Sequence, residues 1–140
     1  MSPLVNLGQV EERTFDPLPA GTYEARMTGQ ELKDSQSSEY QYHSIEFTID
    51  EGEYADRKLW DNYSLNPKSL FAMKRTLVAL GAPQDDLSED SEKESEELWE
   101  DRIGEPCRLV VKQRTYTDPD TGEKKLQNDI TKVLPPAFRV

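Results

Sequence analysis

Apolar and polar residues alternate along much of the chain in segments of strand length. Between Thr22 and Lys33, the residues Tyr23, Ala25 and Met27 alternate with polar neighbours, and this period of two is typical of a half-buried strand. The same pattern predicts four further strands, which run at about Tyr40 to Ile49, Arg57 to Leu65, Pro106 to Thr117 and Lys124 to Val133. The turn Asp118 to Gly122 makes the last two a hairpin.

The period changes once, after the third predicted strand. Asn66 supplies an N-cap side chain and Pro67 occupies the first helical position, where its missing N–H has no cost. One apolar stripe follows, and Gly81 and then Pro83 end the helix. The stripe consists of Leu70, Met73, Leu77 and Leu80.

The order of three strands, one helix and two strands indicates an all-β protein with one helix. It is the order of the five-stranded oligonucleotide-binding (OB) fold, a barrel that binds its ligands on the face of its second and third strands. We expect an N-terminal arm at residues 1–20, the barrel at 21–134 and a tail at 135–140. An acidic insert at 85–101 precedes the fourth strand.

The length of 140 residues fits one domain. No run of about 20 apolar residues is present, no signal peptide is evident at the N-terminus, and Cys107 is the single cysteine. We therefore expect a cytoplasmic protein without a membrane partner. His43 and Cys107 are its only soft metal ligands, so we expect no metal or other cofactor.

The formal charge is −11, but most of it lies in one segment. Asp85 to Asp101 contains ten acids and one base, a net of −9, which leaves −11 − (−9) = −2 for the remainder. Three interpretations stay open: a mobile, solvated loop, a flexible cover over a basic face, or a contact surface for basic replication or recombination proteins.

The outward positions of the predicted strands interleave aromatic and basic side chains. Nucleic acid bases stack on flat rings while lysine and arginine neutralise phosphates, so this mixture suits a single strand with little sequence preference. The alternatives are ordinary strand composition and a homodimer interface. The predicted nucleic-acid-binding residues are Arg26, Tyr40, Tyr42, Lys58, Trp60, Lys112, Arg114 and Tyr116.

Catalytic motifs are scarce in this sequence. His43 and Cys107 could form a base and a nucleophile, but the alternation places both on inward faces. Acid pairs such as Asp50 and Glu51 fall in predicted turns, and the glycines do not form a phosphate-binding loop. We therefore predict a protein that is not an enzyme.

Three segments carry a family resemblance: FDPLPAGTYEA at 15–25, EFTIDEGEY at 46–54 and RKLWDNYSLNP at 57–67. They resemble a family of bacteriophage proteins, long described as a domain of unknown function and associated with single-stranded DNA binding. The resemblance extends weakly to LVV at 109–111 and NDI at 128–130. It implies an OB barrel that coats single-stranded DNA during phage replication or recombination, in the cytoplasm of an infected or lysogenic bacterial host.

Two other functions stay open at this point. One is an acidic mimic of nucleic acid that inhibits or recruits a DNA-acting enzyme, for which acids should spread over one folded face. The other is a weak metal-dependent nuclease, for which carboxylates should converge at strand ends.

Overall fold

The computed structural model describes residues 17–137, which form one five-stranded antiparallel sheet in the order β3-β2-β1-β4-β5. The strands are β1 (Gly21–Lys33), β2 (Tyr42–Ile49), β3 (Lys58–Ser64), β4 (Pro106–Thr117) and β5 (Lys124–Leu134). The predicted all-β fold class with one main helix is confirmed. The sheet curls like an OB barrel but is not closed, since β3 and β5 are its two end strands. Most of the predicted arm, residues 1–16, and the last three tail residues, 138–140, lie outside the described residues.

One predicted strand boundary differs from the observed one by two residues. We expected the second strand to begin at Tyr40, whereas β2 begins at Tyr42. The backbone N–H of Tyr40 donates to the hydroxyl of Ser38 at 3.1 Å, so it belongs to a serine-based turn and not to the ladder.

Two irregularities bend the sheet. The β1–β2 register shifts between Met27 and Gly29, and the β4–β5 register shifts between Val110 and Val111. Bulges of this kind increase the local twist of a strand. The curled sheet encloses the inward residues of all five strands, among them Met27, Phe47 and Leu109.

A helix α1 (Leu70–Ala79) follows an opening turn at Pro67–Ser69. The Asn66 side-chain oxygen accepts the N–H of Lys68 at 3.0 Å, as the N-cap prediction requires. Gly81 ends the helix with a φ of 90°, in the left-handed region that favours glycine. Met73, Leu77 and Leu80 are buried, but Leu70 is 40% exposed, because it lies in the first turn of α1 beside an open groove.

The acidic segment, residues 85–101, is folded in this structure. It contains a turn at Gln84–Leu87 and a short helix α2 (Ser95–Glu100), and it places Trp99 fully in the core. Lys93 bonds the carboxylates of Asp86 at 3.0 Å and Asp101 at 2.8 Å. The interpretation as a mobile, solvated loop did not anticipate this arrangement, because a local excess of charge does not reveal one buried indole.

Polar contacts connect α2 to the inside of the barrel. The Nε2 of His43 lies 2.8 Å from the Ser95 hydroxyl, and its Nδ1 lies 3.1 Å from the side-chain oxygen of Gln30. The ring centroids of Trp99 and Tyr63 are 5.0 Å apart. His43 and Cys107 are fully buried, as the alternation predicts, whereas Ile103, which we expected to return the chain to the core, is 49% exposed.

Candidate nucleic-acid interface

The β4–β5 hairpin brings Tyr116 close to the lysines that follow the turn. Gly122, with a φ of 75°, donates its N–H to the Asp118 carbonyl at 2.7 Å and so closes the turn. Tyr116 is then the direct cross-strand partner of Lys125. This hairpin stands opposite β3 across the open side of the sheet.

A groove of about 820 Å³ lies between β3 and the hairpin; we call it the hairpin groove. Trp60, on one wall, is 58% exposed, and Tyr116, on the other, is 36% exposed. Both faces of the groove therefore offer aromatic surface to a ligand. Its lining also includes Arg57, Lys58, Lys125 and Leu126.

A second, smaller groove of about 470 Å³ crosses the outward side of β1, β2 and β3; we call it the outer-face groove. Trp60 lines it as well, together with Tyr42 and Asn62. The indole thus stands on the ridge between the two grooves. A ligand stacked on Trp60 has access to both.

Charge distinguishes the two grooves. Within the described part of the chain, the hairpin groove is lined by Arg57, Lys58 and Lys125 and by no acidic residue. The outer-face groove is lined by one base, Lys33, and two acids, Glu31 and Glu46. Phosphate oxygens are therefore attracted to the hairpin groove and not to its neighbour.

Two of these bases are held by acids at the rim. Lys58 Nζ lies 2.9 Å from Glu46, and Lys125 Nζ lies 3.0 Å from Asp118. Hydrogen bonds from Thr28 and Lys58 lower the pKa of Glu46, so it is ionised at neutral pH. Exposed ion pairs contribute only about 0–1 kcal/mol each, so a phosphate can compete for either lysine.

The structure brings four of the eight sequence-predicted residues to these grooves. Lys58, Trp60 and Tyr116 line the hairpin groove, and Tyr42 lines the outer-face groove beside Trp60. The alternation along β3 and β4 predicted the first three as outward residues. Their meeting in one groove depends on the curl of the sheet.

The other four predicted residues line neither groove. Arg26 is paired with Asp50 at 2.7 Å, and Arg114 is paired with Asp129 at 2.7 Å. Lys112 is opposite Asp129 in the β4–β5 ladder. Tyr40 lies in the turn before β2.

Sequence reasoning missed Arg57, Lys125 and Leu126, which line the hairpin groove. Arg57 precedes β3, and the other two lie near the start of β5. The paired lysines directly after the Asp118 to Gly122 turn were the available signal, because a hairpin turn places them opposite Tyr116.

The described residues 17–137 contain no group of three or more histidine, cysteine, aspartate or glutamate side chains that could hold a metal ion. In the same range, no helix has the length and apolar character needed to cross a bilayer. His43 and Cys107 are enclosed in the core, where a substrate does not reach them.

Comparison with known proteins gives one match, which covers most of the chain. A family model described as "Protein of unknown function (DUF669)" matches residues 5–125. No curated protein matches the sequence.

Proposed function

We propose that this chain, which belongs to the DUF669 family of proteins of unknown function, binds single-stranded DNA in the hairpin groove without catalysing a reaction. One observation carries the proposal: two exposed aromatic rings and three bases line a single groove that has no acid among its described lining residues. Strand order supports it, because the OB fold binds oligonucleotides on this side of the barrel.

Trp60 and Tyr116 are the proposed stacking surfaces. Every nucleic acid base has a π-face, and stacking on an aromatic side chain contributes about 1–3 kcal/mol per base. Two such surfaces on opposite walls accept bases without reading their edges. We therefore propose binding with little sequence preference.

Arg57, Lys58 and Lys125 are the proposed phosphate contacts. Their charges offset the net charge of the chain only locally, and Glu46 and Asp118 compete with phosphate for the two lysines. Binding should consequently be moderate and strongly dependent on salt.

The resemblance of residues 15–25, 46–54 and 57–67 to phage single-stranded DNA-binding proteins adds a biological setting to the proposal. In that setting the protein coats single strands during replication or recombination. It does so in the cytoplasm of an infected or lysogenic bacterium.

The test is a titration of the full chain with fluorescently labelled oligo-dT, followed by anisotropy at several salt concentrations. We expect binding at low salt, with the logarithm of the affinity falling linearly against log salt at about −0.7 per phosphate neutralised. Parallel titrations with duplex DNA and with oligo-U distinguish single strands from duplex and DNA from RNA. Absence of oligo-dT binding at low salt would show that the proposal is wrong.

Tryptophan fluorescence gives an independent readout of the site. The chain has two tryptophans, of which Trp60 is exposed and Trp99 is buried. Stacking should quench the emission of Trp60 and leave that of Trp99 unchanged. Quenching that persists in Trp60→Ala would place the ligand elsewhere.

A further inference from the structure

Helix α1 leaves apolar side chains exposed on the side that faces the acidic segment. Phe71 is 63% exposed, although it belongs to a helix whose other side packs into the core. Together with Leu70 and Leu77 it lines a groove of about 340 Å³, closed on the far side by Leu87 and Leu98. We call this the helix groove.

The acidic segment gives this apolar groove a negative surround. Asp85, Glu89, Asp90, Glu92 and Glu94 are all exposed, and they neighbour in sequence the groove residues Asp86 to Ser91 and Lys93. Of the two lysines that line the groove, Lys93 is held by Asp86 and Asp101. Lys74 alone has no ion-pair partner among the described residues, against a segment with a net charge of −9.

Charge selects among the surfaces that could cover the apolar lining. Nucleic acid, an anionic bilayer and the same groove on a second copy all carry negative charge and are repelled by this segment. A cationic polypeptide is attracted, and its apolar side chains can cover Phe71 and Leu70. An amphipathic helix lying in an apolar groove combines both contacts.

We propose that the helix groove binds a lysine- or arginine-rich amphipathic peptide segment of a partner protein. Leucine-sized anchors of that segment pack between Phe71 and the Leu87 and Leu98 side chains, while its basic residues face the exposed carboxylates. Binding here is separate from the hairpin groove and does not depend on the proposed function.

The test uses three labelled synthetic 14-residue peptides and anisotropy with the full chain. The first has leucine and lysine at helical spacing, the second has serine for leucine, and the third has glutamate for lysine. We expect only the first to bind. Phe71→Ser should weaken it about tenfold, as expected for the loss of one buried aromatic anchor. The matched control is Val78→Ser, an exposed apolar residue of α1 outside the groove, which should leave the affinity unchanged.

A charge-matched pair of variants separates local from global electrostatics. Glu89→Gln, Asp90→Asn and Glu92→Gln together should weaken the first peptide about tenfold at low salt. The control combination, Glu39→Gln, Glu51→Gln and Glu53→Gln, removes the same charge from exposed turns and should have little effect. Thermal unfolding of every variant shows that the fold is retained.

Four outcomes would overturn the inference. They are no binding of the leucine–lysine peptide, equal binding of the serine–lysine peptide, equal losses in Phe71→Ser and Val78→Ser, and concentration-dependent dimerisation that Phe71→Ser abolishes. The last would assign the groove to a second copy of this chain. Binding to phosphatidylcholine vesicles without peptide binding would assign it to a membrane.

Discussion

The ammonium group of Lys58 lies 2.9 Å from a carboxylate oxygen of Glu46, which is itself the cross-strand partner of Trp60. Thr28 donates a hydrogen bond to the same oxygen at 2.7 Å. The base beside the most exposed indole is therefore held by an acid in the free protein. A phosphate group must displace that acid to reach Lys58.

Glu46→Gln should raise the affinity for oligo-dT about two- to fivefold at low salt, because it frees Lys58 from an exposed ion pair. Anisotropy titration measures the gain. Glu53→Gln removes the same charge from the turn before β3 and serves as the control. An equal gain in the control would mean that only the net charge matters.

Trp60→Ala should lose about 1–3 kcal/mol of binding to oligo-dT, with little change in the salt slope, because stacking involves no counterion release. Tyr40→Ala should change the affinity by less than about 0.5 kcal/mol, since Tyr40 lines neither groove. A larger loss in Tyr40→Ala would favour the surface that sequence alternation predicts over the hairpin groove.

Lys125→Ala should make the salt slope about 0.7 shallower, because one phosphate contact is lost. Lys112→Ala is the matched control, since it removes a lysine of the same hairpin that lies outside the groove. We measure both slopes with oligo-dT. A shallower slope in Lys112→Ala alone would show that the strand follows the outward side of β4.

Burial lowers the pKa of His43. Above a pH of about 6.5 the imidazole is neutral in both the folded and the unfolded chain, so it adds no pH dependence. As the pH falls below about 6.5, the unfolded chain binds a proton that the folded chain does not. The free energy of unfolding then decreases, by at most about 1.4 kcal/mol per pH unit, until His43 is protonated in the folded chain too.

His43→Gln should remove this decrease, which urea unfolding at about pH 7.5 and at about pH 5.5 measures. Burial also raises the pKa of Asp61, and protonation of that carboxyl has the opposite effect on stability. Asp61 is present in both proteins, so the difference between them isolates His43. An identical pH dependence in both would contradict the prediction.

Trp99→Ala should destabilise the protein by about 3–5 kcal/mol, because it removes a fully buried indole from the core. Ile103→Ala, in the turn after α2, should stay within about 0.5 kcal/mol of the wild type. Urea unfolding distinguishes them. Similar small effects in both would mean that the acidic segment does not contribute to the core.

The strands, the helix and its caps could be predicted because each depends on local signals, such as the alternation around Met27 and the Asn66 side chain. Inward burial of His43 followed from the same alternation. The position of Trp99 could not be predicted, since one indole within a run of acids gives no periodic pattern. The hairpin groove could not be predicted either, because the meeting of Trp60 with Tyr116 depends on how far the whole sheet curls.

The open side of the sheet has one more consequence for the hairpin groove. β3 and β5 share no backbone ladder, so the distance between Trp60 and Tyr116 is set through three intervening strands. A nucleic acid strand lying between them would contact both walls and take the place of the missing ladder. Binding would then also stiffen the barrel, and the ligand would complete the structure that holds it.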